Sequence, residues 1–183
     1  MSYRDKVVRL ITARTGEALM NGSIDDATII TQEAFNYAGS TVRILSNRLS
    51  PDCYARESVR NAAKFFLADP DHKLRILIES PLWDVNNNFE WHNHPLLQDI
   101  KEFAKGDDEA RRLAVRLVPK AQAQRYKCNF LLLDDYGFRY EADRNSTAAV
   151  AAFFSEKEKE QKMVSLDSMF RELWSKSSDL NLN

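Results

Sequence analysis

Glycine and proline are scarce, five of each in 183 residues, and neither a low-complexity tract nor an internal repeat interrupts the chain. Their scarcity argues against a linker-rich or modular array and for a compact, continuous fold. Cysteine is nearly missing too. Cys53 and Cys128 lie far apart and form no CxxC pair, which speaks against structural zinc and against a disulfide framework. Charge of one sign is also lacking. Twenty-six Lys and Arg face twenty-seven Asp and Glu, so no global field draws the protein toward nucleic acid or an anionic membrane, although a local basic patch remains open. No run approaches the roughly 18 consecutive apolar residues a spanning helix needs. The charged start "MSYRDKVVRL" resembles neither a signal peptide nor an anchor. The expected compartment is the cytoplasm, with no membrane association.

What is present is ordinary core material: 44% hydrophobic residues, enough for one domain. "SIDDATIITQEAFNYAG" has helical spacing at Ile29, Ile30, Ala34 and Tyr37, with Ser23 or Asp25 as cap and Gly39 as stop. "TVRILSN" and "HKLRILIES" alternate as strands, and "SPDCYARESVRNAAKFFLAD" between them reads as one helix opened by Pro51. "PLLQDIKEFAKG" is a short helix, and "RRLAVRLVP" and "NFLLLDD" are strands. "STAAVAAFF" is expected to start a helix, and "SLDSMFRELWSKS" to form the last one, capped by Ser165. Helices and strands alternate early, and strands cluster late. The expected class is α/β, a mixed β-sheet sandwiched between helices.

Motifs for common chemistries are missing: no GxxxxGK[ST], GxGxxG or GxSxG occurs. Cys53 falls within an apolar helical pattern and reads as a core thiol. The tripeptide His92–Asn93–His94 is not the scattered constellation of the HNH nucleases and reads as loop and cap before Pro95. A metal held by its two histidines with Asp84 or Glu90 is the alternative. "KCNFLLLDD" is a strand too apolar for an exposed edge, with Lys127 and Asn129 at one end and Asp134 and Asp135 at the other. By itself it is consistent with a core strand whose ends are solvated.

The order of these elements, together with "KCNFLLLDDYGFRYEAD", resembles one repeat of the phospholipase D-like superfamily, over about residues 25 to 176. That family carries HxKxxxxD on such a strand. The resemblance implies an N-terminal extension over residues 1–24, a phospholipase D-like domain over 25–176 and a tail over 177–183. It places Lys127 where the family has its nucleophilic histidine, Asn129 where it has its lysine, and Asp134 on the retained aspartate. An ammonium has no lone pair with which to attack phosphorus, and an amide supplies no positive charge to the transition state. The implied cleft, with Lys127, Asn129, Asp134, Arg139, Glu141 and Asn145, either holds an anion or polar ligand, or is filled by Lys127 pairing with Asp134 or Glu141.

The leading expectation is therefore a non-catalytic phospholipase D-like protein acting as an interaction or accessory subunit, suited to a bacterial nucleic-acid-related or defence complex. No catalytic residue, metal or cofactor is assigned. Trp83, Phe89 and Trp91, set in the polar stretch "PLWDVNNNFEWHNH", form the expected interaction loop for a protein partner. Single-repeat members of the superfamily commonly pair, which implies a homodimer. Two alternatives stand beside this. One is a nuclease or phosphodiesterase with altered residues, using His92 or His94 as base. The other is a nucleic-acid-binding module using Arg43, Arg48, Arg56, Arg60, Lys64, Arg111, Arg112 and Arg116.

Overall fold

The structure, a computed structural model, describes residues 1–79, 91–106, 111–143, 146, 148–155 and 161–182. In chain order the elements are α1 (Tyr3–Ala13), β1 (Leu19–Asn21), α2 (Ile24–Tyr37), β2 (Thr41–Ser46), α3 (Pro51–Tyr54), α4 (Glu57–Ala68) and β3 (Lys73–Ile78). There follow α5 (Pro95–Ile100), β4 (Leu113–Leu117), α6 (Lys120–Ala123), β5 (Asn129–Leu133), β6 (Gly137–Glu141), β7 (Ala149–Phe153), α7 (Gln161–Lys176) and β8 (Ser178–Asp179). The strands make one eight-stranded sheet ordered β1-β7-β6-β5-β2-β3-β4-β8. β2, β3 and β4 run parallel, as helical crossovers demand, and the other pairings are antiparallel.

The sheet is buried on both faces. Leu131 and Leu133 of β5 join a core with Val7, Leu10, Ile30, Phe35, Phe66 and Leu97 from α1, α2, α4 and α5. Phe130 and Leu132 point the other way, into a core with Met163, Leu166, Phe170 and Leu173 of α7. The alternation is the period-two geometry of a strand, and burial on both sides explains why β5 is an unbroken apolar run. The expected mixed sheet between helices is what the chain forms.

Local chemistry sets the ends. Ser23 caps α2, its Oγ accepting from the Asp26 N–H at 3.0 Å. The single helix expected after Pro51 is split into α3 and α4, and the Arg56 side chain at the break donates to the Asp52 carbonyl at 2.8 Å. Ser165 is not a cap. It lies inside α7 and donates to the Gln161 carbonyl at 2.8 Å. The alanine-rich segment expected as a helix is instead β7, paired with β6 on one side and β1 on the other. Helix propensity is a weak prior, and small side chains fit this crowded position. A Cβ on the facing Gly137 would stand 2.5 Å from the Phe153 ring. The first 24 and last seven residues contribute α1, β1 and β8 to the same sheet and core, with Leu182 3% exposed.

Candidate functional site

The register of the β5–β6 hairpin sets Asn129 opposite Glu141 at its open end. Asn129 donates from Nδ2 to Glu141 Oε2 at 2.7 Å and accepts from the Asn47 backbone N–H at 2.8 Å, binding the loop after β2 to the hairpin. Arg139, two residues before Glu141 and on the same face, donates from Nη2 to Glu141 Oε1 at 2.5 Å. Its Nε donates to Asn21 Oδ1 at 3.2 Å, reaching across to β1. Arg139 and Glu141 side chains are only 8% and 14% exposed. Taking such a pair out of water is costly unless other hydrogen bonds support each ion, and here Asn21 and Asn129 add one bond apiece.

The network floors a small cleft. Ile24, Ala27 and Thr31 of α2 and Ser50, Cys53 and Tyr54 around α3 form its walls, with Ser46, Asn129, Phe130, Arg139 and Glu141 beneath. It encloses about 50 Å³, or about 400 Å³ with the space open to solvent, room for a few waters inside and a larger group at the mouth. Burial pushes the Cys53 thiol up, which disfavours the thiolate, and pushes the Tyr54 phenol up still further. Neither is a nucleophile near neutral pH.

Of the six residues expected in the cleft, Asn129, Arg139 and Glu141 meet there. Lys127 precedes the strand, exposed and making no hydrogen bond or ion pair among the described residues. It is not among the residues that line the cleft, where Glu141 binds Arg139 and Asn129. Asp134 lies at the other end of β5, about 17 Å along the strand from Asn129. Its carboxylate accepts from the backbone N–H groups of Gly39, Ser40 and Thr41 at 2.8, 2.9 and 2.7 Å and from the Ser40 hydroxyl at 3.0 Å. Its φ of 48° is a turn conformation that aspartate tolerates. Asn145 lies outside the described residues.

Thr31, Ser46, Ser50 and Tyr54 line the cleft without any local sequence signal for it. Asn21, within the first 24 residues, reaches its floor through Arg139. Cys53 was read as a core thiol and is 95% buried, yet it also lines the cleft, its Sγ 3.7 Å from the Thr31 hydroxyl.

The other candidates sit elsewhere. His94 is 3% exposed and bonds through Nε2 to the Leu49 carbonyl at 2.8 Å, the geometry of a buried neutral ring, while His92 is exposed. Burial lowers the pKa of His94. Among the described residues no group of three His, Cys, Asp or Glu could hold a metal, and Asp84 and Glu90 lie outside them. Trp83 and Phe89, and the side chain of Trp91, also lie outside what is described. Six of the eight basic residues are engaged within the fold. Arg43 binds Asp167, Arg60 binds Asp99 at 2.7 Å, and Arg116 and Arg111 share Asp179. Arg56 reaches Asp25, and Arg112 donates to the Leu67 carbonyl. Arg48 and Lys64 are exposed. Among the described residues no helix is long and apolar enough to cross a membrane.

The fold is phospholipase D-like. Similar solved structures include phosphatidylserine synthase of Haemophilus influenzae Rd KW20, at TM-score 0.60 and 8% identity, covering 90% of this chain and 40% of that one. NucT from Helicobacter pylori aligns at TM-score 0.58 and 12% identity, over 90% of this chain and 99% of its own. TrmBL2, described as an archaeal chromatin protein with a novel mode of DNA binding, aligns at TM-score 0.56 and 12% identity over 92% of this chain. The chain spans 55% of TrmBL2 and less than half of the synthase. No family model and no curated protein matches the sequence.

Proposed function

We propose that this chain is a non-catalytic phospholipase D-like protein that serves as an interaction or accessory subunit. The observation that carries the reading is the state of Asn129. At the position where the family has its lysine, this amide is held by Glu141 on one side and Asn47 on the other, while Lys127 stands exposed outside the cleft. Phosphoryl transfer through this cleft needs an unprotonated nucleophile and a cation facing the phosphorus. Among the described residues that line the cleft the one cation, Arg139, is neutralised by Glu141.

The test is turnover of bis(p-nitrophenyl) phosphate and of single- and double-stranded nucleic acid by the wild-type chain. No hydrolysis is expected, and Lys127→His with Asn129→Lys does not restore it without a second histidine. Turnover abolished by Lys127→Ala would refute the reading.

Nucleic-acid binding is a second reading, supported by the likeness to TrmBL2. With most of the basic set paired internally, the phosphate contacts available are few. A shallow dependence of any DNA or RNA affinity on salt is therefore expected. Sedimentation of the purified chain tests the homodimer that single-repeat relatives suggest.

A further inference from the structure

We propose that the cleft floored by Arg139 and Glu141 binds an uncharged, polyhydroxylated small molecule whose adjacent hydroxyls bridge the two side chains. The inference rests on the non-catalytic reading above and concerns the same cleft.

Charge decides the class. Arg139 and Glu141 form one ion pair, so the floor is neutral as a whole. An anion set against Arg139 would stand beside the Glu141 carboxylate, and a cation set against Glu141 would stand beside the guanidinium. Either would lose its hydration without an unopposed partner.

The unused hydrogen-bonding capacity is mixed in sign. Among the described residues Arg139 Nη1 has no partner, and each Glu141 oxygen accepts a single bond. The Ser50 and Tyr54 hydroxyls, at the opposite wall, have no hydrogen-bond partner there either. A hydroxyl both donates and accepts, so two neighbouring hydroxyls satisfy Nη1 and a carboxylate oxygen together. Ile24 and Ala27 supply apolar wall for the C–H faces of such a molecule. The enclosed 50 Å³ takes the edge of a ring, and the open mouth takes the rest.

The experiment is an NMR titration of the wild-type chain, following the side-chain amides of Asn21 and Asn129. The probes are myo-inositol and glycerophosphoinositol, an anionic phosphodiester built on the same ring. Inositol is expected to shift both amides saturably, and the diester to need about tenfold more for the same shift, the size of one unfavourable charge contact. In Glu141→Gln, which leaves Arg139 unneutralised, the order inverts. Equal or tighter binding of the diester to the wild type overturns the proposal, as does the absence of any saturable shift with inositol. Cleavage of the diester, read by ³¹P NMR in the same tubes, would instead overturn the non-catalytic reading beneath it.

Discussion

Asp134, at the end of β5, holds backbone. Its carboxylate takes three N–H groups at the start of β2 and one hydroxyl, and its φ is positive. A hydrogen bond to a charged group contributes about 1.5–3 kcal/mol, but four bonds to one carboxylate at a partly wet turn do not add. A net loss of about 2–4 kcal/mol on removal is reasonable. Alanine at positive φ costs about 1 kcal/mol more. Asp134→Ala is therefore expected to destabilise by about 3–5 kcal/mol, a large part of a typical 5–15 kcal/mol. Asp134→Gly should do so by about 1 kcal/mol less, since glycine adopts the turn without strain. Asp134→Asn, which keeps an acceptor and the turn preference, should lose about half. Urea unfolding of the three variants reads the series. If Asp134→Ala and Asp134→Gly both lay within about 0.5 kcal/mol of wild type, the carboxylate would not be anchoring the turn, and its role would have to be sought in ligand contact.

Removing one member of the buried Arg139–Glu141 pair, as in Arg139→Ala, is expected to cost about 3–5 kcal/mol. Arg139→Met combined with Glu141→Leu should cost less than either single change, by the same urea measurement. Leu131→Ala and Leu132→Ala, in opposite cores and 2% and 0% exposed, should each cost about 2–5 kcal/mol. Neutrality at both would show that β5 is not interior. His94 gives a pH signature: burial holds its folded pKa below the unfolded value near 6.5. The unfolded chain then binds the extra proton first, and stability should fall as pH drops below about 6.5. Thermal unfolding between pH 7.5 and 5 should show a steeper decline for wild type than for His94→Gln.

The layered architecture was legible because β5 and the parallel strands β2, β3 and β4 are largely buried and announce it in their apolar composition. Three of the eleven residues that line the cleft were legible for the same reason, since Asn129, Arg139 and Glu141 flank that run in sequence. The remainder depends on partners remote in the chain. Asn21 reaches the cleft only because three residues of β1 pair with Ala149–Ala151 of β7, and β7 itself is composed like a helix. Asp134 sits three residues before β6 starts at Gly137, and only its turn geometry sends the carboxylate toward Gly39 and Ser40. The basic residues counted as a surface patch find acids far along the chain, as Arg43 finds Asp167 on α7, and no local pattern foretells that.

Phosphoryl transfer through a nitrogen nucleophile would form a P–N bond to the protein as the P–O bond to the leaving group breaks. The intact mass of the wild-type chain tests for that bond directly, after incubation with bis(p-nitrophenyl) phosphate and quenching in neutral denaturant. With Lys127 exposed outside the cleft and Asn129 bound to Glu141, the expected result is an unchanged mass and no burst of nitrophenolate. A nitrophenyl-phosphoryl adduct on Lys127 or on a histidine, formed with a stoichiometric burst and lost in Lys127→Ala, would contradict the non-catalytic assignment.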